Sequence, residues 1–239
     1  MIVAVHQPNF FPWLGYFNKI RRADVFVMLD DAQQSKTGGT WANRVKIADA
    51  RGEKWLTAPV ERNFSGVRQI RDIRFAGGDW RERLIAQLAG AYRRCDHFAQ
   101  SMGLLEPLLR LSESNLLSYN MQVITTLCRA LKLGTDKFVL ASTCHAASTG
   151  TGRLIELTRA VGGTHYLSGS GAGGYQEAEL FVNSGVELVY QSYRAEPYPQ
   201  LGRDDFLGGL SVIDALVNRG VDGVAQLIDA EAAGPLPSA

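Results

Sequence analysis

The sequence predicts an α/β fold built on a mainly parallel sheet, with a β-hairpin insert and a layer of helices. Three observations carry that expectation. The first thirty residues run from a β-branched apolar segment through an amphipathic stretch to a second apolar segment. The same alternation returns after residue 137, and between residues 80 and 133 the apolar positions follow helical spacing instead.

Ile2-Val3-Ala4-Val5 is a short continuous apolar run, the pattern of a strand covered on both faces of a parallel sheet. After the loop His6-Gln7-Pro8-Asn9-Phe10-Phe11-Pro12, the positions Trp13, Phe17 and Ile20 predict a helix from Trp13 to Ala23. Val25 to Leu29 is the next strand and ends in Asp30-Asp31, which completes a βαβ unit with a right-handed crossover. Trp41 to Pro59 reads as a hairpin, with Val45-Lys46-Ile47 and Trp55-Leu56-Thr57 flanking Asp49-Ala50-Arg51-Gly52. Asp79 is placed to cap a helix from Trp80 to Tyr92, and Ser114 to cap a longer one ending at Lys132-Leu133 before Gly134. In that second helix Cys128 falls on the core stripe of Leu117, Met121, Ile124 and Leu131, so it reads as a packing thiol. Strands at Lys137 to Ala141, Tyr166-Leu167 and Val186 to Tyr190 then alternate with helices at Thr151 to Val161 and Glu177 to Asn183. The expectation is one α/β domain over 1–228, with a helical insert at about 79–133 and a disordered tail over 229–239.

Hydrophobic residues make up 46% and charged residues 21%, ordinary globular usage. The 25 basic against 24 acidic side chains leave a formal charge of +1, which argues against a duplex nucleic-acid partner. No stretch approaches the ~18 uncharged apolar residues of a membrane span. Cys95, Cys128 and Cys144 are odd in number and lack CxxC spacing, against a disulfide framework and a structural zinc site. With no secretory-type leader pattern at the N-terminus, a cytoplasmic protein is expected.

Ligands of open parallel sheets bind outside the carboxyl ends of the strands, and the residues there are polar in this chain. His6 is a candidate general acid or base, or a phosphate donor; Gln7 follows it. Asp30 is a candidate for orienting an amine or holding a metal ion, and is equally at home in a turn. Ser168, Gly169, Gly171 and Tyr175 follow another strand, and Gly169 to Gly174 match G-x-G-x-x-G. That match lies outside the first βαβ unit and lacks the ribose-binding acid, so NAD is not expected; an anion cradle or a simple turn remains. Arg44 and Lys46 lie two apart and share a strand face as a candidate anion clamp, with Trp41, Asn43 and Val45 on the other.

The opening His6 to Phe17, the segment Asp24 to Asp31, Trp41-Ala42-Asn43-Arg44, Trp55-Leu56-Thr57, Tyr166-Leu167-Ser168-Gly169 with Tyr175, Tyr198-Pro199-Gln200 and Leu210 to Asp214 together resemble the WbqC-like family. The resemblance runs in order from about residue 1 to about residue 225. It implies a place in bacterial O-antigen (lipopolysaccharide), other surface-sugar or natural-product pathways. The implied activity is a glycine-type aminoacyl or acyl transfer that forms an amide or ester on a sugar or small metabolite. The implied partner is a small molecule: an amino sugar, a nucleotide sugar or another amine. His6, Gln7, Asp30, Asn43, Arg44, Ser168, Gly169, Tyr175, Gln200 and Asp214 are the positions it raises, and it points to no tightly bound metal. The first βαβ unit is also similar to the opening of adenylate-forming nucleotidyltransferases. That likeness implies a Rossmann-like, nucleotidyltransferase-like sheet and an ATP/Mg²⁺-dependent ligase, although the usual paired histidines are absent. A non-catalytic nucleotide-sugar-binding accessory protein is the remaining alternative.

Overall fold

A computed structural model describes residues 1–34, 39–49, 51–169 and 177–230. β1 (Ile2–His6), α1 (Leu14–Arg22) and β2 (Val25–Met28) form the opening unit. β3 (Gln33–Gln34), β4 (Arg44–Asp49), β5 (Gly52–Thr57) and β6 (Arg68–Gln69) follow, β4 and β5 as an antiparallel hairpin and β3 with β6 as a two-residue ladder. Three helices come next, α2 (Trp80–Tyr92), α3 (Phe98–Leu109) and α4 (Leu116–Ala130). The chain then alternates through β7 (Phe138–Leu140), α5 (Gly150–Ala160), β8 (His165–Gly169), α6 (Ala178–Ser184), β9 (Glu187–Gln191) and α7 (Val212–Asp229).

The central sheet has the order β7-β2-β1-β8-β9, and every neighbouring pair is parallel. Numbered among themselves these strands read 3-2-1-4-5, the Rossmann-like doubly wound arrangement, whose order reverses between β1 and β8. The two-residue period of the strands divides the core accordingly. Val3, Val5, Val27, Tyr166 and Leu188 pack with Ile155, Leu157 and Phe181 of α5 and α6. Ala4, Phe26, Met28, Leu167 and Val189 pack on the opposite side with Tyr16, Phe17 and Ile20 of α1, in a core that continues into α4 and α7. A side chain at Gly163 would place its Cβ 2.3 Å from Val3 Cγ2 and 2.8 Å from the Thr158 carbonyl oxygen, so glycine is what lets the end of α5 close on β1.

Several boundaries differ from the sequence expectation. Asp79 precedes α2 but makes no side-chain cap, because its carboxylate pairs with Arg83. Asn115, not Ser114, caps α4 by accepting from Ser118 N, while Ser114 Oγ accepts from Arg74. α4 stops at Ala130, and Lys132 (φ 58°) rather than Gly134 takes the left-handed position, with Leu133 N donating to Cys128 O. Cys128 is buried as expected, and burial pushes its thiol pKa up to about 12.

α3 and α7 were not individually expected. Pro107 and the polar Cys95-Asp96-His97 junction obscured α3, although Met102, Leu105 and Leu109 do form a buried stripe. Gly220 obscured α7: it holds φ 67°, its Cβ would meet His97 Nδ1 at 2.9 Å, and the helix kinks there where it crosses α3. Residues 231–239, most of the expected tail, lie outside the described residues, whereas α7 itself reaches Asp229.

Candidate functional site

In a doubly wound sheet the strand order reverses at a crevice outside the carboxyl ends, here between β1 and β8. Ala4 is in register with Leu167, which brings His6 and Gly169 level at that edge. Gly171 and Tyr175 lie outside the described residues, as does all of the glycine motif beyond Gly169.

The loop leaving β1 is pinned from several directions. Asn120 Nδ2, on α4, donates to Pro8 O at 2.8 Å and to Ala42 O at 2.7 Å. Tyr16 OH donates to Gln7 O at 3.0 Å, Phe10 N to Trp41 O at 2.9 Å, and Ser211 Oγ to Phe11 O at 2.7 Å. These bonds hold Phe11, buried at φ 38°, in a conformation unusual for a bulky side chain. The loop is therefore ordered before any ligand arrives.

His6 Nδ1 lies 3.1 Å from Gln7 O. A carbonyl oxygen only accepts, so Nδ1 carries the hydrogen and Nε2 keeps a lone pair, which meets no partner among the described residues. The rings of Trp13 and Tyr16 stand edge-on to the imidazole, with centroids at 5.6 and 4.9 Å. Burial first, and the positive charge of Lys19 second, push the His6 pKa down to about 3. Lys19 itself is buried, donates to Val5 O at 3.4 Å, and has its pKa lowered by burial to about 8. Near neutral pH the resting imidazole is therefore neutral: it brings no extra proton of its own, and its open Nε2 can accept one and pass it on.

From His6 a series of rings runs onto the hairpin. Trp13 lies 5.6 Å from Trp41, and Trp41 lies 5.3 Å from Trp55. The Arg44 guanidinium sits 4.1 Å from the Trp55 ring centre, and Lys46 Nζ sits 5.6 Å from it. Trp41 is 39% and Trp55 38% exposed, so both offer surface to solvent. Trp41 thus joins the cation-bearing face and not the face of Val45: the alternation that separated them applies only once β4 begins at Arg44. Lys46 is paired with Glu53, which leaves Arg44 as the cation of this face without an ion-pair partner among the described residues.

The family model of the WbqC-like protein family matches residues 7–226. This chain belongs to that family. It is 30% identical over 224 residues to the uncharacterized protein Rv1507c of Mycobacterium tuberculosis, covering 92% of this chain and 94% of that protein. No solved structure matches the chain significantly.

Other positions that the WbqC-like resemblance raised are engaged elsewhere. Asp30 is buried, accepting from Ser142 N at 2.9 Å and from Ser142 Oγ at 2.6 Å, so its carboxylate ties the end of β2 to the turn after β7. Each oxygen thus accepts one hydrogen bond within the protein, and the residue is 1% exposed. Asp31 pairs with Arg153. Asn43 is buried, donating to Ala58 O at 2.9 Å and accepting from Thr40 N at 3.0 Å, and thus shapes the hairpin entrance. Ser168 is buried within β8, its hydroxyl bonded to Gly169 O.

Gln200 and Asp214 fall in a separate place. Asp214 accepts from Tyr92 OH at 2.9 Å, Tyr198 OH at 2.7 Å and Gln200 Nε2 at 2.8 Å. Burial raises its pKa against those three donors. Both residues line a cleft of about 640 Å³ beneath the hairpin tip, with Arg51, Lys54 and Arg94 among its walls. Among the described residues no group of three His, Cys, Asp or Glu side chains is placed to hold a metal ion, and no helix is long and apolar enough to cross a membrane.

Sequence reasoning passed over four residues that shape the switch-point site. Trp13, Trp41 and Trp55 are three of the chain's four tryptophans, and their scarcity was the available signal. Asn9, in the loop itself, is 2% exposed, and neither its Nδ2 nor its Oδ1 has a partner among the described residues. An orphaned buried amide costs about 1–3 kcal/mol until something satisfies it.

Proposed function

We propose that the chain binds an amino sugar or nucleotide sugar at the switch point and transfers an acyl or aminoacyl group to its amine. The observation that carries this reading is the unpartnered lone pair of His6 Nε2 beside a run of exposed indoles ending in a guanidinium. Indole faces suit the C–H faces of a sugar ring or the face of a base. Arg44 suits a phosphate or carboxylate, because its planar N–H groups donate to two oxygens at once. As the amine nitrogen bonds to the acyl carbon, Nε2 takes the proton that the nitrogen loses. It returns that proton to the leaving group as the bond between the acyl carbon and that group breaks. Family membership supports a role in surface-polysaccharide or natural-product synthesis, and three free cysteines support a reducing, cytoplasmic setting.

The test is direct. The purified chain is incubated with UDP-glucosamine and, in separate reactions, an acyl thioester or an amino acid with ATP and Mg²⁺, and the sugar's mass is followed. A gain of one acyl group that His6→Ala suppresses supports the reading. Sugar binding without mass gain from either donor leaves a non-catalytic binding protein as the better account, and product formed only with ATP favours an adenylate-forming ligase.

A further inference from the structure

A second cavity opens on the same edge of the sheet, behind Trp13. It measures about 170 Å³ and is lined by Trp13, Gly15, Tyr193, Tyr198, Phe206 and Leu210, with Gln191, the last residue of β9, at one side. Most of the polar hydrogens in this lining are already committed. Gln191 Nε2 donates to Gly15 O and Asn18 Oδ1, Tyr198 OH to Asp214, and Tyr193 OH to Leu227 O. The indole N–H of Trp13 has no acceptor among the described residues.

Gly15 explains how that N–H comes to face open space. It stands in the first turn of α1 without a left-handed backbone, where alanine would favour the helix by roughly 0.5–1 kcal/mol. A Cβ at this position would lie 3.0 Å from Trp13 Nε1 and 3.2 Å from Tyr193 Cδ1. Helix geometry therefore does not require the glycine; it preserves the hollow onto which the indole edge opens. A cavity of about 150 Å³ admits a benzene ring, so this one has room for a body of roughly six heavy atoms.

We propose that this cavity is a subsite for the acyl part of the transferred group, a compact ring or branched chain whose carbonyl oxygen accepts from Trp13 Nε1. A hollow walled mainly by aromatic and aliphatic side chains, in which the Trp13 indole N–H is the side-chain donor without an acceptor among the described residues, matches an acyl or amide group better than a charged or polyhydroxylated one. Trp13 also touches the His6 imidazole, at 5.6 Å, so the subsite lies one indole away from the base. The assignment rests on the transfer reading above and extends it from the acceptor to the donor.

The ¹⁵N-labelled chain is titrated with benzamide and, separately, with benzene, while the Trp13 indole resonance is followed; its loss in Trp13→Phe identifies it. Benzamide is expected to move that resonance strongly and benzene only weakly. Gly15→Ala, at unchanged or higher Tm, should weaken benzamide binding about tenfold. Ala195→Leu, which fills the cavity from another wall, should do the same if Gly15→Ala perturbs the fold. Benzamide binding that leaves the indole unmoved, binding indifferent to both substitutions, or no binding of either probe at millimolar concentration would overturn the subsite. These results do not depend on His6: turnover retained by His6→Ala would remove the base and leave the cavity assignment standing.

Discussion

His6 and Asp30 stand at the ends of adjacent parallel strands, where His6 is in register with Met28. Each carries an acid–base group to the edge at which such sheets bind ligands, and in the sequence they look alike. Their surroundings separate them. Asp30 is buried and each of its oxygens accepts from Ser142, so the carboxylate joins two strand-end turns. His6 uses one nitrogen to fix its own orientation and leaves the other open. Position at the carboxyl edge selects candidates, and burial together with the partners each group already holds tells them apart.

The largest expected effect breaks the symmetry of the two ends. His6→Ala should lower turnover by about 10²–10⁴-fold at a Tm close to wild type, whereas Asp30→Asn should keep turnover within a few-fold. Asp30→Ala should instead cost about 2–4 kcal/mol of unfolding free energy, read by urea denaturation, since the Ser142 amide and hydroxyl lose a charged acceptor. Asn120→Ala should cost about 2–3 kcal/mol by leaving the Pro8 and Ala42 carbonyls unpaired. It should also speed amide exchange in residues 7–12, a loosening that Asp30→Ala does not produce.

A pH series sharpens the contrast further. His6 falls from an ordinary 6.5 to about 3 on folding, so between those values the unfolded chain binds the extra proton and the folded chain does not. The His6 contribution to stability is therefore complete above pH 6.5 and declines as pH drops toward 3. Wild type should lose stability relative to His6→Gln over that window, as read by denaturant midpoints at each pH, and the His6 ring resonances should titrate near pH 3. The smallest effects belong to the hairpin. Trp55→Ala should weaken UDP-glucosamine binding by roughly 1 kcal/mol in a calorimetric titration, and Lys46→Ala, whose ammonium is already paired with Glu53, by less.

The sheet was legible because its signals are local. The apolar runs of β1 and β2, and the alternation after residue 137, needed only neighbouring residues, and all five strands lie where they were expected. α7 was not legible, because Gly220 interrupts its periodicity, and the reason a glycine stands there, the close approach of His97, is far away in sequence. The same distinction holds at the site. His6 was recognisable from its place after a strand. The engagement of Asp30 by Ser142, the pinning of the loop by Asn120, and the approach of Trp13, Trp41 and Trp55 are contacts between distant segments that no single stretch announces. Gln200 and Asp214 were raised by resemblance alone, and the fold gathers them into one hydrogen-bonded cluster with Tyr92 and Tyr198.

The most direct test of the switch point as the binding site is a titration of the ¹⁵N-labelled chain with UDP-glucosamine, following the indole N–H and imidazole resonances together. The account predicts that Trp41, Trp55 and His6 Nε2 shift along a common binding curve, while Arg94 and Gln200, in the cleft of about 640 Å³, stay still. Shifts confined to that cleft, with the tryptophans and His6 unmoved, would contradict it.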